Sequence, residues 1–374
     1  MATTFNDLPQ ELCNRIVRFF RHDRQTLLKL CLTSVRLVNE AQSYIYAALI
    51  IDNIKFPTTI YKSFNLLLTL TVHNPSLAKY VDAFGYRIQR LPEDHAVYEK
   101  LRHAIRLMVN VTWLEINTTI PHSPQGFFDG CTFRLRHFRC QFASSDKPAI
   151  YKMLSTQPSL RSLYIDEFDQ DFPSDCCLKL NRLCVEDWRS IEQILPGRSI
   201  LGLELLPIEG LMPVVPFSGS VPPSITTQLG NLTHLTFRTD TPYDFLEIMG
   251  PHLTRLMILR IIGRDLKNES RKNIAKKPEI LCKLTNLKIF IWSLEIYCDY
   301  RNMTSEEVCE LYNVLWDPLE LWFRELPKLK AVYTLDFDSH DFDDEGYYHL
   351  WSKDKSPRAV DVKVALGGKS LYTR

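Results

Sequence analysis

A six-residue template, apolar-x-x-apolar-x-apolar, recurs along most of this chain and restricts its fold more than any other feature. It fits Val81-Phe84-Tyr86, Val111-Leu114-Ile116, Leu135-Phe138-Cys140, Leu160-Leu163-Ile165 and Leu180-Leu183-Val185. It fits again at Ile200-Leu203-Leu205, Leu232-Leu235-Phe237, Leu253-Leu256-Ile258, Leu284-Leu287-Ile289 and Val332-Leu335-Phe337. The last two apolar positions are two apart and face one side of a short strand, while the first anchors the turn leading into it. Between the templates, apolar periodicity predicts helices over 61–71, 95–108, 148–154, 188–195, 243–249, 271–281 and 305–323. Strand and helix in alternation call for right-handed crossovers and a parallel sheet. Each unit then buries its face only against its neighbours, which gives a curved solenoid.

Several template spacings fall in the leucine-rich-repeat range of about 20–29 residues, and the longer gaps leave room for insertions. A regular repeat of that kind carries Asn or Cys three residues after the final strand position. Here those positions are Thr119, Ala143, Phe168, Trp188, Ile208, Asp240, Ile261 and Trp292, so no ladder exists. The expected fold class is α/β, an irregular leucine-rich-repeat-like solenoid, with a less repetitive α/β domain as the alternative.

Ahead of the templates, residues 5–51 hold three amphipathic patterns with almost no spacer. In the first, Leu12, Ile16, Phe19 and Phe20 share one helical face, Pro9 suits the first helical position and Glu11 favours the helix dipole. Asp23 is an N-cap for the second, which places Leu27, Leu28, Leu30 and Cys31 inward. The third follows Thr33-Ser34 and carries Val38, Ala41, Ile45 and Leu49. Three helices in about fifty residues bury little alone, so such a unit leaves apolar surface for a partner or the next domain.

The order Leu8-Pro9-x-Glu11-Leu12-x3-Ile16, then Phe19-Phe20, Asp23 and Leu27-Leu28-x-Leu30-Cys31, resembles an F-box. The run through Ala41-Gln42-Ser43-Tyr44-Ile45-Tyr46 and Leu49 is similar to fungal members, although many F-boxes carry Leu-Trp where this chain has Ile45-Tyr46. A phrase of the kind Asn74-Pro75-x-Leu77-Ala78-x-x-Val81 follows the box in fungal relatives, which extends the resemblance to about residue 86. An ordinary helical cap on a repeat domain is the other way to read the stretch. The resemblance implies a non-catalytic substrate-recognition subunit of a cullin-based ubiquitin ligase, cytoplasmic or nuclear. Its F-box binds the Skp-family adaptor, and through it the cullin scaffold, while the repeat domain holds a target protein the sequence does not name. Carried over, the adaptor-contacting residues are Leu8, Pro9, Leu12 and Ile16, with Leu28 added. The organisation expected is an F-box-like domain over 1–51, a repeat domain over 52–351 and a basic tail over 352–374.

Other classes find less support. Net charge is +1, so no global field favours nucleic acid or an anionic membrane. No run of eighteen apolar residues spans a bilayer, and the N-terminus lacks a basic-then-apolar signal pattern. Ten scattered cysteines suit buried free thiols in a reducing compartment. Cys131, His137 and Cys140 make half a ligand set, so no metal is expected. Gly-x-Ser-x-Gly, a phosphate-cradling glycine loop with Lys, and His-Glu-x-x-His are all missing, which argues against catalysis and against a cofactor. Two readings stand behind the ligase subunit: a repeat scaffold that recruits no ligase, and more distantly a hydrolase with a loop-built site. Trp113, Trp292 and Trp322 are equally readable as repeat-face anchors or as core.

Pro213, Pro216, Pro222 and Pro223 predict an irregular, poorly packed loop over 210–228. Residues 336–345 concentrate six carboxylates. A calcium loop starting at Asp336 would need Gly at Asp341 and Glu at Tyr347, so the stretch reads as a solvated acidic loop or a patch for basic partners. Six Lys or Arg against two Asp from Ser352 onward read as an exposed tail.

Overall fold

A computed structural model describes residues 8–52, 59–88, 95–118, 126–141, 147–165, 172–206, 221–239, 242–264, 279–295, 318–335, 347–352 and 355–361. Two compact units divide the chain, Met1–Lys179 and Leu180–Arg374.

The first unit opens with α1 (Gln10–Phe19), α2 (Arg24–Thr33) and α3 (Val35–Ile45). Asp23 caps α2, its carboxylate accepting from the Thr26 N–H at 3.1 Å, as expected. Ser34 caps α3 in the same way through the Arg36 N–H. Pro9 is itself the N-cap of α1, one position earlier than expected. Cys13, Val17, Leu27, Leu37, Ala41 and Ile45 form the bundle core. The third helical pattern divides: α3 stops at Ile45, and Leu49 belongs to β1 (Ala48–Asp52). The boundary drawn after Ile51 therefore falls inside a strand. β1 begins a parallel sheet that continues in chain order through β2 (Ala83–Ile88), β3 (Trp113–Thr118), β4 (His137–Gln141) and β5 (Ser162–Ile165). Helices α4 (Thr59–Leu68), α5 (His95–Leu107) and α6 (Lys147–Ser155) lie between strands in sequence. Asn74-Pro75 ends the helical run after α4, but a 3-10 stretch, Pro75–Tyr80, intervenes before β2.

The second unit carries β6 (Arg182–Val185), α7 (Trp188–Ile194), β7 (Gly202–Leu205), α8 (Pro223–Leu229), β8 (His234–Arg238), α9 (Pro242–Met249), β9 (Ile258–Arg264), β10 (Ile289–Glu295) and β11 (Ala331–Leu335). The strands from β6 to β11 pair in parallel and in chain order. Two antiparallel strands, β12 (Tyr347–Ser352) and β13 (Lys355–Asp361), end the sheet. Residues read as an exposed basic tail thus supply β13 over Lys355–Asp361.

One apolar row runs through the sheet of each unit. Phe84, Leu114, Phe138 and Leu163 stand in register in the first. Leu183, Leu203, Leu235, Leu259, Phe290 and Val332 do so in the second, and every member of both rows is buried. Leu163, Leu183, Leu203, Leu235 and Leu256 are buried as the template requires.

The frame of the late templates is corrected. Leu256 precedes β9, and the in-register positions there are Leu259 and Ile261. In β10 they are Phe290 and Trp292, so Ile258 and Ile289 face the opposite side. The cause is a turn in front of each strand that repeats the same spacing. The Leu256 N–H donates to the Leu253 carbonyl, and Leu287 to Leu284, Leu329 to Leu326 and Leu232 to Leu229 do likewise. Each turn puts two apolar residues three apart, so apolar-x-x-apolar occurs twice per repeat and a frame can lock onto the earlier pair.

Repeats are tethered without an Asn ladder. A single backbone carbonyl of one repeat accepts two successive N–H groups of the next: Asp82 takes Thr112 and Trp113, Thr112 takes Arg136 and His137, and Arg136 takes Arg161 and Ser162. Leu201, Thr233, Met257 and Lys288 do the same in the second unit.

The loop expected over 210–228 is also corrected at its end. Pro222 is the N-cap of α8 and Pro223 its first residue, positions where a missing N–H costs nothing, and Ile225 and Leu229 are fully buried. The remainder of that loop, 210–220, and the acidic stretch 336–345 lie outside the described residues, as do most of the helices expected over 271–281 and 305–323. Residues 318–325 are helical, and Trp322 and Trp292 are core. No helix among the described residues is long and apolar enough to cross a membrane.

Candidate partner surfaces

The helical bundle presents its apolar residues on two sides. Facing in, Cys13 and Val17 of α1 and Leu27 of α2 are sealed against Leu37, Ala41 and Ile45 of α3. Facing out, Leu12 is 42% exposed, Leu28 50%, Phe19 82%, Val35 86% and Leu32 88%. These are half of the ten large apolar residues exposed in the described chain. Single exposed leucines need no explanation; five within 24 residues, on three short helices, single out the outer surface of the bundle.

The site residues read from the sequence fall unequally on this face. Leu12 and Leu28 are on it. Ile16 is half-buried on the α1 row that links Leu12 to Phe19, and Pro9 is exposed. Leu8 is half-buried and packs against the bundle core, so it serves the fold as well. One expectation is corrected. The core side of α1 is taken by Cys13 and Val17, and Leu12 and Phe19 lie on its exposed side. Leu28 is not inward; Leu27 is the buried α2 residue, with Leu30 and Cys31 partly buried against the core. Leu32 and Val35 were missed. Leu32 lies four residues beyond Leu28, hence on the same side of α2, and Val35 follows the Ser34 cap. The Gln10 amide donates to the Arg36 carbonyl at 3.2 Å and so brings the start of α1, with Leu12 near it, beside Val35.

A second surface lies on the sheet of the first unit, on the side opposite the buried row. Gly85, Glu115, Arg139 and Tyr164 stand in register across β2 to β5. The Arg87 guanidinium donates to both Glu115 carboxylate oxygens, at 2.8 and 2.7 Å, and Arg139 Nε lies 3.4 Å from the first of them. Arg139 stacks 4.4 Å over the Tyr164 ring, whose hydroxyl accepts from Gln141 at 3.1 Å. Glu115 is 1% exposed, and both arginine side chains stay 29% exposed. The row is a fixed polar face with cationic edges. It offers hydrogen-bond donors to a partner without asking an ordered side chain to rearrange.

In the second unit the equivalent face begins polar and ends apolar. Arg260 Nε donates to Ser293 Oγ at 3.2 Å, and Ile291, Tyr333 and Leu350 close a small cluster with Ile258, Ile289 and Ala331 at its edge. The described cysteines are free thiols, with Cys13, Cys140 and Cys184 buried. Among the described residues no group of three or more His, Cys, Asp or Glu is placed to hold a metal, and Cys131, His137 and Cys140 form no such group. Compared with models of known families and with curated proteins, the chain matches none.

Proposed function

We propose that this chain is the substrate-recognition subunit of a Skp-cullin-F-box ubiquitin ligase. In this reading the outward face of the bundle, Leu12, Phe19, Leu28, Leu32 and Val35 with Ile16, Pro9 and part of Leu8, docks on the Skp-family adaptor. The observation that carries it is the two-sided bundle: a complete core of its own and a second apolar row that the fold does not use. A helix needs one apolar stripe to pack in its own domain, so a second stripe calls for a partner. The sheet faces hold the target, and the chain performs no chemistry. It raises the target's effective concentration beside the ubiquitin-charged enzyme.

The test is affinity capture of purified Skp-family adaptor by the full chain, repeated with Leu28→Ala and Leu32→Ala together. Micromolar or tighter binding that the pair of changes weakens supports the assignment. If the intact chain captures no adaptor at micromolar concentration, the ligase role falls. The chain is then a non-catalytic repeat scaffold, whose outward row binds a different protein.

A further inference from the structure

We infer that the outer face of α5, together with the turn 126–130, binds a phosphate group. Glu99, Arg102, His103 and Arg106 recur at i, i+3, i+4 and i+7 on α5 and, with Lys100, line a pocket of about 360 Å³. The opposite side of the helix is committed to the core through Tyr98, Leu101, Ala104 and Ile105. The pocket is therefore built on a rigid, well-packed element.

The turn 126–130, which lies beside Arg102 and Arg106, is equally fixed. Phe127 packs its ring 5.1 Å from that of Tyr98, and Phe128 packs on Phe138 at 5.8 Å. Gly126 and Gly130 take φ of +89° and +80°, the left-handed region that a side chain resists. A Cβ on Gly130 would stand 3.9 Å from Arg106 Nε, and one on Gly126 would run into the Asp129 carboxylate. The turn thus closes up to the guanidinium groups.

Those groups have donors to spare. Among the described residues, Arg102 pairs with Glu99, at 3.6 Å on the surface, and Arg106 donates to the Gly126 carbonyl at 3.5 Å. The Nε of each is buried and has no hydrogen-bond partner among the described residues. A bound oxyanion therefore meets the terminal Nη1 and Nη2 groups and not the shielded Nε. Lys100, Arg102 and Arg106 stand against Glu99 in the pocket and Asp129 beside it, where Lys152 lies 4.0 Å from Asp129. In a chain with 45 basic and 44 acidic residues, this is a local excess of positive charge. Two guanidinium forks at i and i+4 are about 5–6 Å apart at their roots and can grip one tetrahedral group from two sides. A dianionic phosphate with three free oxygens matches this donor set better than a carboxylate.

The site does not depend on the adaptor assignment, and its test is separate. The full chain is titrated by calorimetry with inorganic phosphate, with phosphoserine, and with a phosphoserine peptide and its unphosphorylated counterpart. Saturable binding of any phosphate probe is expected, weakening as salt rises. Arg106→Lys keeps the charge but loses the fork, and should weaken binding about tenfold. Arg102→Gln with Arg106→Gln should abolish it, while Lys330→Gln, far along the chain, leaves it unchanged. Binding of all phosphate probes means a site for the group itself; binding of the phosphopeptide alone identifies its source as a phosphorylated protein. If no phosphate probe saturates below about 10 mM, or if Arg106→Lys and the folded double variant bind as the natural chain does, the site does not exist. Should the double variant fail to fold, Arg106→Lys and salt dependence decide alone.

Discussion

Leu27 and Leu28 are neighbours in α2 with opposite surroundings, and truncating each to Ala separates fold from partner. Leu27 is 1% exposed in the bundle core, touching a cluster with Cys13, Val17, Leu37 and Ala41. Its removal leaves a cavity in a core of only six buried side chains, so Leu27→Ala should cost about 2–5 kcal/mol. A three-helix bundle has little stability in reserve, so a loss of that size should melt the bundle. Leu28 is 50% exposed, so its side chain gains roughly half of the ~2 kcal/mol that full burial of a leucine contributes. Leu28→Ala should therefore change stability by about 1 kcal/mol or less. If Leu28 is buried by a partner, however, its truncation should cost on the order of 2 kcal/mol of binding, roughly thirtyfold in Kd.

The assay is a pair of measurements on each variant: chemical denaturation of the full chain, and adaptor affinity per folded molecule. The expected pattern is crossed. Leu27→Ala loses stability and binds, molecule for folded molecule, as before; Leu28→Ala keeps its stability and loses affinity. Equal destabilisation by both changes would refute the two-sided bundle. An unchanged affinity in Leu28→Ala, alone and together with Leu32→Ala, would remove the outward row from the interface.

Other consequences follow from particular contacts. Leu8 packs on the bundle core, so Leu8→Ala with Pro9→Ala should lower the melting temperature as well as adaptor affinity; an unchanged melting temperature would contradict the packing. Glu115→Gln removes the charge that pairs Arg87 and Arg139, and because both arginines keep some solvent the loss should be about 2 kcal/mol in chemical denaturation, not the larger value of a fully buried pair. Ile225→Ala in α8 should cost about 2–4 kcal/mol, whereas a loose loop there would lose almost nothing. Burial, and secondarily the positive charge of Arg182, hold the His234 imidazole below its ordinary value. The unfolded chain then takes up the proton first, so this histidine's contribution is intact above about pH 6.5 and is lost as pH falls below it. His234→Gln should flatten that part of the stability profile of the second unit.

The parallel order of strands was legible because burial on a sheet is periodic: Leu163, Leu183, Leu203 and Leu235 each occupy the place their spacing demanded. What tethers one repeat to the next was not. The tether is a main-chain carbonyl receiving two main-chain N–H groups, and any residue can supply those atoms, so absence of an Asn ladder carried no information about regularity. At β11 the final inward position is Thr334, buried and accepting the Trp351 indole N–H at 2.9 Å. A polar residue in an apolar slot pushed the frame three residues late, onto Val332-Leu335-Phe337. The bundle offered two stripes. Leu12-Ile16-Phe19 and Cys13-Val17 both satisfy helical spacing, and periodicity alone does not say which is core. The smaller pair won because α1 must approach α3 closely, at Leu37, Ala41 and Ile45. Leu12 and Ile16, assigned from the sequence to a partner surface, lie on the stripe that the bundle core leaves unused.

The junction between bundle and sheet then bears on how the first unit can work. Only Tyr46 and Ala47 separate the end of α3 from β1. The Ala47 carbonyl accepts from both Asp82 and Ala83, at 2.9 Å each, the same two-fold bond that joins one repeat to the next. Tyr46 packs against the bundle core on the other side of this link. The last helix of the bundle is in effect tied down as the first repeat, and β1 pairs with β2 over Ala48 to Asp52. Hinge motion needs a few residues free to change φ and ψ. Neither linker residue is free in that sense, since one is packed and the other carries two hydrogen bonds. On the proposed reading, a partner on the outward row of α1 and α2 would accordingly be held at a set angle to the Arg87–Glu115–Arg139 face. If the chain delivers a target to a fixed enzyme, as proposed, a rigid link of this kind would concentrate the bound target in one direction, where a flexible linker would spread the same molecule over a shell of positions.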